Sequence, residues 1–134
     1  MESTAITDYK QLRIYQRSFG VANRIFDLTS TWPRTEQYML VQQTVRSSRS
    51  VCANIGEAWF KKWYPKHFVS KLSDAGSEAM ETIVWLDFAL HYQYITSSQH
   101  SELTAELRKV VAGLVLMCNQ PEKWCYPPKR KRRS

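Results

Sequence analysis

The stretch RSSRSVCANIGEAW, residues 46–59, decides the fold because its apolar and small residues recur at steps of three and four. Ser48, Cys52 and Ile55 fall on one line at this spacing, which is the repeat of one face of an α-helix. Asn54 and Glu57 lie one helical turn apart. A buried amide or carboxylate without a partner is costly, so these two side chains are expected to contact a neighbouring helix. The stretch therefore predicts the middle of a packed helix.

Three further segments show the same helical repeat, and prolines mark their ends. Proline lacks an N–H group and clashes with the preceding turn, so Pro33, Pro65 and Pro121 separate the segments. The predicted helices span residues 8–30, 35–62, 66–93 and 98–119. Together they predict an all-α protein, an antiparallel up-down four-helix bundle over residues 1–125. Residues 126–134 are predicted to be a disordered basic tail, since they hold little apolar surface to bury.

Each predicted helix has an apolar face that we assign to the core. In the first segment this face contains Leu12, Tyr15, Phe19, Ala22 and Phe26, beside a second stripe of Ile14, Val21, Ile25 and Leu28. In the second it contains Tyr38, Val41, Val45, Ser48, Cys52, Ile55 and Trp59. In the third it contains Val69, Leu72, Gly76, Ala79, Ile83, Leu86 and Leu90, and in the fourth Leu103, Leu107, Val110, Leu114 and Met117. The predicted N-caps are Thr7 or Asp8, Thr35, and Ser97 or Ser98. Apolar coverage wider than one stripe predicts a second buried surface and hence a homo-oligomer.

The net charge of +7 is unevenly distributed along the chain. Residues 1–66 hold ten basic and five acidic side chains, whereas residues 67–120 hold three basic and six acidic ones. Residues 121–134 add six basic side chains and one acidic side chain. Such asymmetry points to an anionic partner, most simply a nucleic acid.

The basic side chains form three groups that we predict to contact phosphates. The first two groups are Lys10, Arg13, Arg17 and Arg24 on the first helix, and Arg46, Arg49, Lys61, Lys62 and Lys66 along and after the second. The third is the tail run Lys129, Arg130, Lys131, Arg132 and Arg133. Three alternatives stay open: an ordinary solvated face for the helical residues, a subunit interface for Arg46 and Arg49, and a merely solubilising role for the tail.

Aromatic residues lie at the end of the second helix and just after it, among them Trp59, Phe60, Trp63 and Tyr64. Aromatic rings near cations stack on unpaired bases in many proteins that bind single strands. The competing interpretation, which we favour at this stage, is that the rings belong to the core or to a subunit interface.

The sequence holds little of the polar chemistry that an enzyme requires. His67, His91 and His100 are widely spaced and lack the second ligand at i+3 or i+4 that a metal site needs. The acidic pair Glu78 and Glu81 lacks the Glu-x-x-His partner of a di-iron bundle. We therefore predict no enzymatic activity, no cofactor and no metal.

The cellular setting follows from the cysteines and the hydropathy. The three cysteines form no metal-type pair, and an odd number suits no disulfide framework, so a reducing cytoplasm is expected. No apolar run approaches the ~20 residues that span a bilayer, and the polar N-terminus shows no secretory signal. We expect no membrane partner.

The segments SSRSVCANIGEAW and LRIYQRSFGVANRIFDLT resemble a bacterial four-helix-bundle family, the 23S rRNA intervening-sequence proteins. The resemblance covers residues 9–125, and Gly56 stands where the family usually has alanine. The matching motif residues are Ser50, Val51, Ala53, Asn54, Ile55 and Glu57. Glycine inside a helix costs ~1 kcal/mol relative to alanine, so Gly56 is expected where another backbone packs very close.

The resemblance implies a homopentamer with a cationic surface, and it implies no catalytic residues. It also implies relatedness to the accessory variability protein of diversity-generating retroelements, which works beside a reverse transcriptase and its RNA. Two functions result. The first is a non-enzymatic, oligomeric accessory protein that binds nucleic acid, in the first place RNA. The alternative is a scaffold that docks on a partner protein such as a retroelement reverse transcriptase. The sequence does not distinguish RNA from DNA.

Overall fold

The computed structural model describes residues 5–128, and every regular element among them is helical. The α-helices are α1 Arg13–Thr29, α2 Leu40–Phe60, α3 Pro65–His91, α4 Ser97–Asn119 and the short α5 Pro121–Trp124. The prediction of an all-α helical bundle is confirmed. Residues 129–134, which make up most of the predicted tail, lie outside the described residues.

The four long helices form a ring in which each packs against its neighbours in chain order, and α1 closes the ring against α4. This is the up-down arrangement. One end of the bundle gathers the start of α1, the α2–α3 turn, the end of α4 and α5. We call it the tail end and define it as residues 5–16, 57–74 and 117–128. The opposite end comprises residues 24–46 and 81–102.

The first helix begins later than the predicted residue 8. Residues 9–11 form a 3-10 turn in which the Gln11 side chain accepts hydrogen bonds from the backbone N–H groups of Thr7 and Asp8. Leu12 is then extended, with ψ of 131°, and its side chain is buried. The chain bends here because the bend places Leu12 in the core, and α1 starts only at Arg13.

The second helix begins at Leu40 rather than at residue 35, because Arg34–Glu36 forms another 3-10 turn. Glu36 ties this turn to its surroundings. One carboxylate oxygen accepts the Leu40 N–H at 3.3 Å, and the other accepts the Tyr94 hydroxyl at 2.9 Å. The fourth helix has Thr96 as its N-cap, one residue before the predicted serines, and its hydroxyl accepts the Gln99 N–H.

The predicted core faces match the structure best in α3 and α4. All five residues predicted for α4 are buried, as are Leu72, Ala79, Ile83 and Leu86 of α3. In α1 the adjoining stripe of Ile14, Val21 and Ile25 is buried, whereas Phe19 and Phe26 are 53% and 54% exposed. In α2 the buried line contains Thr44, Ser47, Ser48, Val51, Ile55 and Ala58, and the predicted Tyr38 is 85% exposed. Periodicity alone cannot choose which part of a wide apolar surface is buried, and here Leu12 and Ala22 of the first α1 stripe are buried while its two phenylalanines face outward.

Small side chains line the contact between α2 and α3. Thr44, Ser47, Ala75, Ala79 and Thr82 are completely buried, and they let the two helix backbones approach closely. The hydroxyl groups are satisfied inside this contact. Ser47 Oγ lies 2.8 Å from Thr82 Oγ1, and Thr82 also donates to the Glu78 carbonyl. A buried hydroxyl without a partner would be costly, so this pair makes the close packing compatible with polar side chains.

We predict that Ala79→Leu lowers the free energy of unfolding by about 1–3 kcal/mol, because the added carbons meet α2 with no space to enter. Thermal unfolding followed by circular dichroism measures the effect. The control is Ala112→Leu, at an exposed position of α4, which should change stability by less than about 0.5 kcal/mol. Equal stabilities for the two variants would contradict the close packing of α2 on α3.

Candidate nucleic-acid interface

The predicted row of cations on α1 divides into paired and unpaired members. Arg17 lies 3.0 Å from Glu106 and Arg24 lies 2.6 Å from Glu102, both across the contact with α4. The hydrogen bond from Arg24 lowers the pKa of Glu102. Lys10 and Arg13 are exposed, and neither forms an ion pair within residues 5–128. The unpaired part of the row therefore lies at the tail end.

The two arginines of α2 face different neighbours. Arg46 lies between two carboxylates of α3, 3.4 Å from Glu78 and 2.6 Å from Glu81. The guanidinium of Arg49 lies 5.2 Å from the centre of the Phe26 ring on α1. Arg46 therefore carries two local countercharges, and Arg49 covers an apolar ring.

The polar residues of the motif contact α3, as expected. Lys71 Nζ lies 2.8 Å from Glu57 and 3.5 Å from the Asn54 side-chain oxygen. The hydrogen bond with Glu57 raises the pKa of Lys71. The Asn54 amide also donates to the Ser50 carbonyl at 2.9 Å. Asn54 and Glu57 thus join two helices, and Lys71 is the partner that the sequence analysis did not identify.

The remaining motif residues divide between core and surface. Ile55 is buried and Ala53 is exposed on the outer side of α2. A Cβ placed on Gly56 would meet no atom within 4 Å. The close backbone expected at Gly56 is therefore not found within residues 5–128, and a contact with a second subunit stays a prediction. At Gly113 it is a side chain that approaches closely, since a Cβ there would lie 2.5 Å from Cγ2 of Ile14.

Lys62 is buried, whereas a lysine that contacts a phosphate has to be exposed. It is only 7% exposed, and its Nζ lies 3.5 Å from the centre of the Trp59 ring and 4.8 Å from that of Tyr126. An ammonium group over aromatic faces is held by the cation–π attraction. We therefore leave Lys62 out of the interface and assign it to the packing of the C-terminal segment.

The C-terminal segment is fixed on the α2–α3 turn. The Tyr126 N–H donates to the Lys62 carbonyl at 3.0 Å, and the rings of Trp63 and Tyr126 lie 4.4 Å apart. Trp59 and Trp124 form a second aromatic pair, at 6.4 Å. The structure does not describe the predicted tail residues Lys129, Arg130, Lys131, Arg132 and Arg133. They are attached to Pro128, which comes two residues after Tyr126 and its contact with the turn.

Charge is unequal between the two ends of the bundle. The tail end holds seven basic and four acidic side chains, whereas the opposite end holds three basic and five acidic ones. The basic residues of the tail end are Lys10, Arg13, Lys61, Lys62, Lys66, Lys71 and Lys123. The acidic ones are Asp8, Glu57, Asp74 and Glu122. The fold therefore brings cations from three distant parts of the sequence to one end.

A small basic cleft lies beside the α2–α3 turn. It has a volume of about 250 Å³ and is lined by Lys61, Lys66, His67, Ser70 and Lys71. Of these, His67, Ser70 and Lys71 were not among the predicted binding residues. Their signal in the sequence is their position just after the predicted break between the second and third helices, because the turn brings the start of the third helix beside the end of the second.

Two aromatic rings lie next to residues of this cleft with much of their surface in solvent. Phe60 is 79% exposed and Tyr64 is 54% exposed. The Tyr64 ring lies 5.8 Å from that of His67, which lines the cleft, and Phe60 and Lys61 line a neighbouring groove. The turn between Phe60 and Tyr64 is held by a hydrogen bond from the Tyr64 N–H to the Lys61 carbonyl at 2.8 Å. Trp59 packs against the core, as the favoured interpretation expects, whereas Phe60 and Tyr64 lie outside the core of the single chain, and a subunit interface stays a prediction for them.

Apolar grooves occur on two opposite faces of the bundle. On the α1–α2 face, a groove of about 850 Å³ contains Phe26, Tyr38 and Val45, and another of about 620 Å³ contains Tyr15 and Phe60. On the α3–α4 face, a groove of about 650 Å³ is lined by residues that include Gly76, Met80, Val111, Val115 and Cys118. Two separate apolar faces are therefore open to solvent in the single chain.

Cysteine and metal chemistry can be assessed for the described part of the chain. Burial raises the pKa of Cys52 to about 11, and it also raises the pKa of Cys118 and Cys125. All three thiols are therefore protonated at neutral pH, a form that is a poor nucleophile. Among residues 5–128, no cluster of three or more His, Cys, Asp or Glu side chains could hold a metal ion. No helix in this range is both long and apolar enough for a membrane span.

Comparisons with known proteins place the chain in a family. The crystal structure of a protein of unknown function from the S23 ribosomal protein family of Bacteroides thetaiotaomicron superposes with a TM-score of 0.71 at 27% identity. The match covers 79% of this chain and 95% of that one. No curated protein matches the chain in sequence. The family model of the 23S rRNA-intervening sequence proteins matches residues 10–115, and the chain therefore belongs to this family.

Proposed function

We propose that the protein is a non-enzymatic, oligomeric accessory protein that binds nucleic acid, in the first place RNA, through the tail end of the bundle. The observation that carries the proposal is the collection of unpaired cations at this end, beside the attachment point of the basic residues 129–133. Five described cations of this end form no ion pair within residues 5–128. They are Lys10, Arg13, Lys61, Lys66 and Lys123.

Pairing separates these cations from three predicted arginines outside the tail end. Arg17, Arg24 and Arg46 each lie within 3.0 Å of a carboxylate oxygen of another helix. A phosphate would have to compete with that carboxylate, so these arginines contribute less to binding than an unpaired lysine. The interface that we propose is therefore smaller than the predicted one and lies at one end.

RNA is favoured over DNA by the family. The family description links its members to an intervening sequence of 23S rRNA, and the structural relative is assigned to a ribosomal protein family. These descriptions concern other proteins and do not define an activity. They make RNA the first ligand to test, and the cytoplasm is the compartment in which such an RNA would be met.

The proposal includes assembly through one groove on each apolar face, the groove with Phe26, Tyr38 and Val45 on the α1–α2 face and the groove on the α3–α4 face. It leaves the groove that contains Phe60 outside the subunit contact. The α1–α2 face and the α3–α4 face lie on opposite sides of the helical ring, so one face of a subunit can cover the other face of the next. Head-to-tail contacts of this kind close into rings when the rotation allows. A ring with five or so basic ends would multiply weak phosphate contacts into higher avidity.

We predict that Lys61→Ala combined with Lys66→Ala weakens RNA binding about tenfold near 0.1 M salt and reduces the salt slope, log Kd against log salt, by about 1.4. The reason is the loss of two phosphate contacts and of their counterion release. Fluorescence anisotropy with a structured RNA at several salt concentrations measures both quantities. The matched control is Arg34→Ala with Arg108→Ala, which removes two unpaired cations that lie outside the tail end. This control should leave the affinity and the salt slope nearly unchanged.

Two results would contradict the proposed function. One is the absence of binding by the unaltered protein at low salt. The other is binding that does not depend on salt, because phosphate contacts always release counterions.

For the assembly, we predict that Val115→Asp dissociates the oligomer while the helix content is retained. Val115 is half exposed in the α3–α4 groove, and a buried carboxylate without a partner disfavours the subunit contact. Light scattering after size-exclusion chromatography gives the mass. Ala105→Asp, at an exposed position of the same helix, is the control and should remain assembled. An unaltered chain that is monomeric at micromolar concentration would refute the assembly.

A second candidate function is a scaffold that docks on a partner protein such as a reverse transcriptase. The observation that favours it is the exposed aromatic surface of Phe19, Phe26 and Tyr38 on one face. Deletion of residues 127–134 distinguishes the two functions. If the protein binds nucleic acid, the deletion should weaken RNA binding at least tenfold at physiological salt, because it removes five cations. Full RNA affinity after deletion, with capture of a purified reverse transcriptase intact, would favour the scaffold.

A further inference from the structure

The α2–α3 corner combines exposed aromatic rings with cations that have no ion-pair partner within residues 5–128. We infer that this corner binds an unpaired strand of nucleic acid, whose bases stack on Phe60 and Tyr64 while its phosphates contact Lys61 and Lys66. The inference rests on the proposed function and adds the kind of strand that the tail end recognises. A double helix keeps its bases stacked inside and would use only the cations.

The exposure of the two rings is the first observation. Phe60 and Tyr64 leave 79% and 54% of their surface in solvent, although Phe60 is the last residue of α2 and Tyr64 directly precedes α3. Large apolar surfaces in water are unfavourable, and a base offers a flat apolar face to cover them. Base stacking on an aromatic side chain depends little on sequence, because every base has such a face.

The second observation is the basic cleft beside the rings. Lys61 and Lys66 line it together with His67 and Ser70, and its volume of about 250 Å³ is enough for a phosphate group. Lys71 on its inner side is paired with Glu57, which leaves Lys61 and Lys66 to meet the phosphate. Alternating ring and cation contacts match the alternation of base and phosphate along a single strand.

The third observation is that the corner is held in place before any ligand arrives. The Tyr64 N–H donates to the Lys61 carbonyl, and the Phe68 N–H donates to the Tyr64 carbonyl at 2.9 Å. Lys62 is buried beneath Trp59 and Tyr126, so this side of the turn is fixed. A preorganised turn reduces the entropy that binding has to overcome.

Other exposed rings of the chain lack this combination. Tyr38 and Phe26 share a groove with Arg46 and Arg49, but Arg46 is bound by two glutamates and Arg49 covers Phe26 itself. Asp27 also lines that groove. Phe26 and Tyr38 in this groove are therefore suited to contact a protein surface. The rings of the α2–α3 corner are suited to contact a strand of nucleic acid.

The test compares unpaired and double-stranded RNA, each roughly 12 nucleotides long, a length in the range of one single-strand site. The variant is Phe60→Leu with Tyr64→Leu, which keeps the side chains apolar and removes the stacking faces. The control is Tyr38→Leu, the same change at an exposed position of the opposite end. Circular dichroism and light scattering check that fold and assembly are unchanged.

We expect the double variant to bind the unpaired RNA about ten times more weakly or worse, and to bind the duplex within about twofold of the unaltered protein. A single-stranded DNA of the same sequence should lose affinity by the same factor, because it offers the same base faces. Tyr38→Leu should bind every strand normally. Equal losses for unpaired RNA and duplex, or no loss for unpaired RNA, would overturn the inference.

These outcomes are separable from a failure of the proposed function. If Lys61→Ala with Lys66→Ala loses binding to unpaired and double-stranded RNA while the aromatic variant binds both normally, the proposed basic interface is supported and the stacking is overturned. No binding of either strand by the unaltered protein overturns both. Ultraviolet cross-linking of unpaired RNA to the unaltered protein gives a second readout. The cross-linked peptide should contain residues 60–67, and a cross-link confined to other residues would overturn the inference.

Discussion

The close contact between α2 and α3 is the constraint on which the structure of the tail end depends. Ala75, Ala79 and Thr82 let the α3 backbone approach α2, and the Ser47–Thr82 hydroxyl pair satisfies the polar groups that this approach buries. Two helices packed so closely need only the short connection between Phe60 and Pro65. That connection carries the exposed rings and the lysines. A looser pair of helices would need a longer loop, in which rings and lysines would not be held in one arrangement.

Ion pairing determines where the charge of the molecule is available. Arg17, Arg24 and Arg46 each pair with a glutamate of the facing helix, so the surface around them carries both positive and negative charges. Surface ion pairs of this kind add little to stability, ~0–1 kcal/mol each. Their larger effect is on recognition, because they leave the tail end as the part of the described chain with an excess of unpaired positive charge.

The sequence predicted the helices, their order and the family, but it did not predict which apolar residues of α1 and α2 face outward. Five of five predicted core residues in α4 are buried, while Val115 and Leu116 of the same helix are exposed. The α1 sequence has two apolar stripes, and contact with α2 and α4 buries residues of both while it leaves Phe19 and Phe26 outside. The arginines show the same limit. Arg17 and Glu106 are 89 positions apart, so no local pattern could show that one neutralises the other.

The burial of Lys62 illustrates why residue type alone is a weak guide to a binding site. A lysine after a helix end is ordinarily a solvated cation, yet here its side chain is enclosed by Trp59 and Tyr126. Trp59 comes from the end of α2, and Tyr126 comes from the last described residues. Lys61 and Lys66 instead line the open cleft and form no ion pair within residues 5–128.

The Tyr126–Lys62 contact also orders events in time. Chains are made from the N-terminus, at about 5–20 residues per second, so Tyr126 leaves the ribosome only after α3 and α4 have been made. Until then the α2–α3 turn lacks the contacts that hold Lys62 and Trp63 in place. The corner that we propose for nucleic acid is thus completed only after α4 has been made. A nascent chain with Tyr126 still inside the ribosome, close to ribosomal RNA, does not yet carry that corner in its final form.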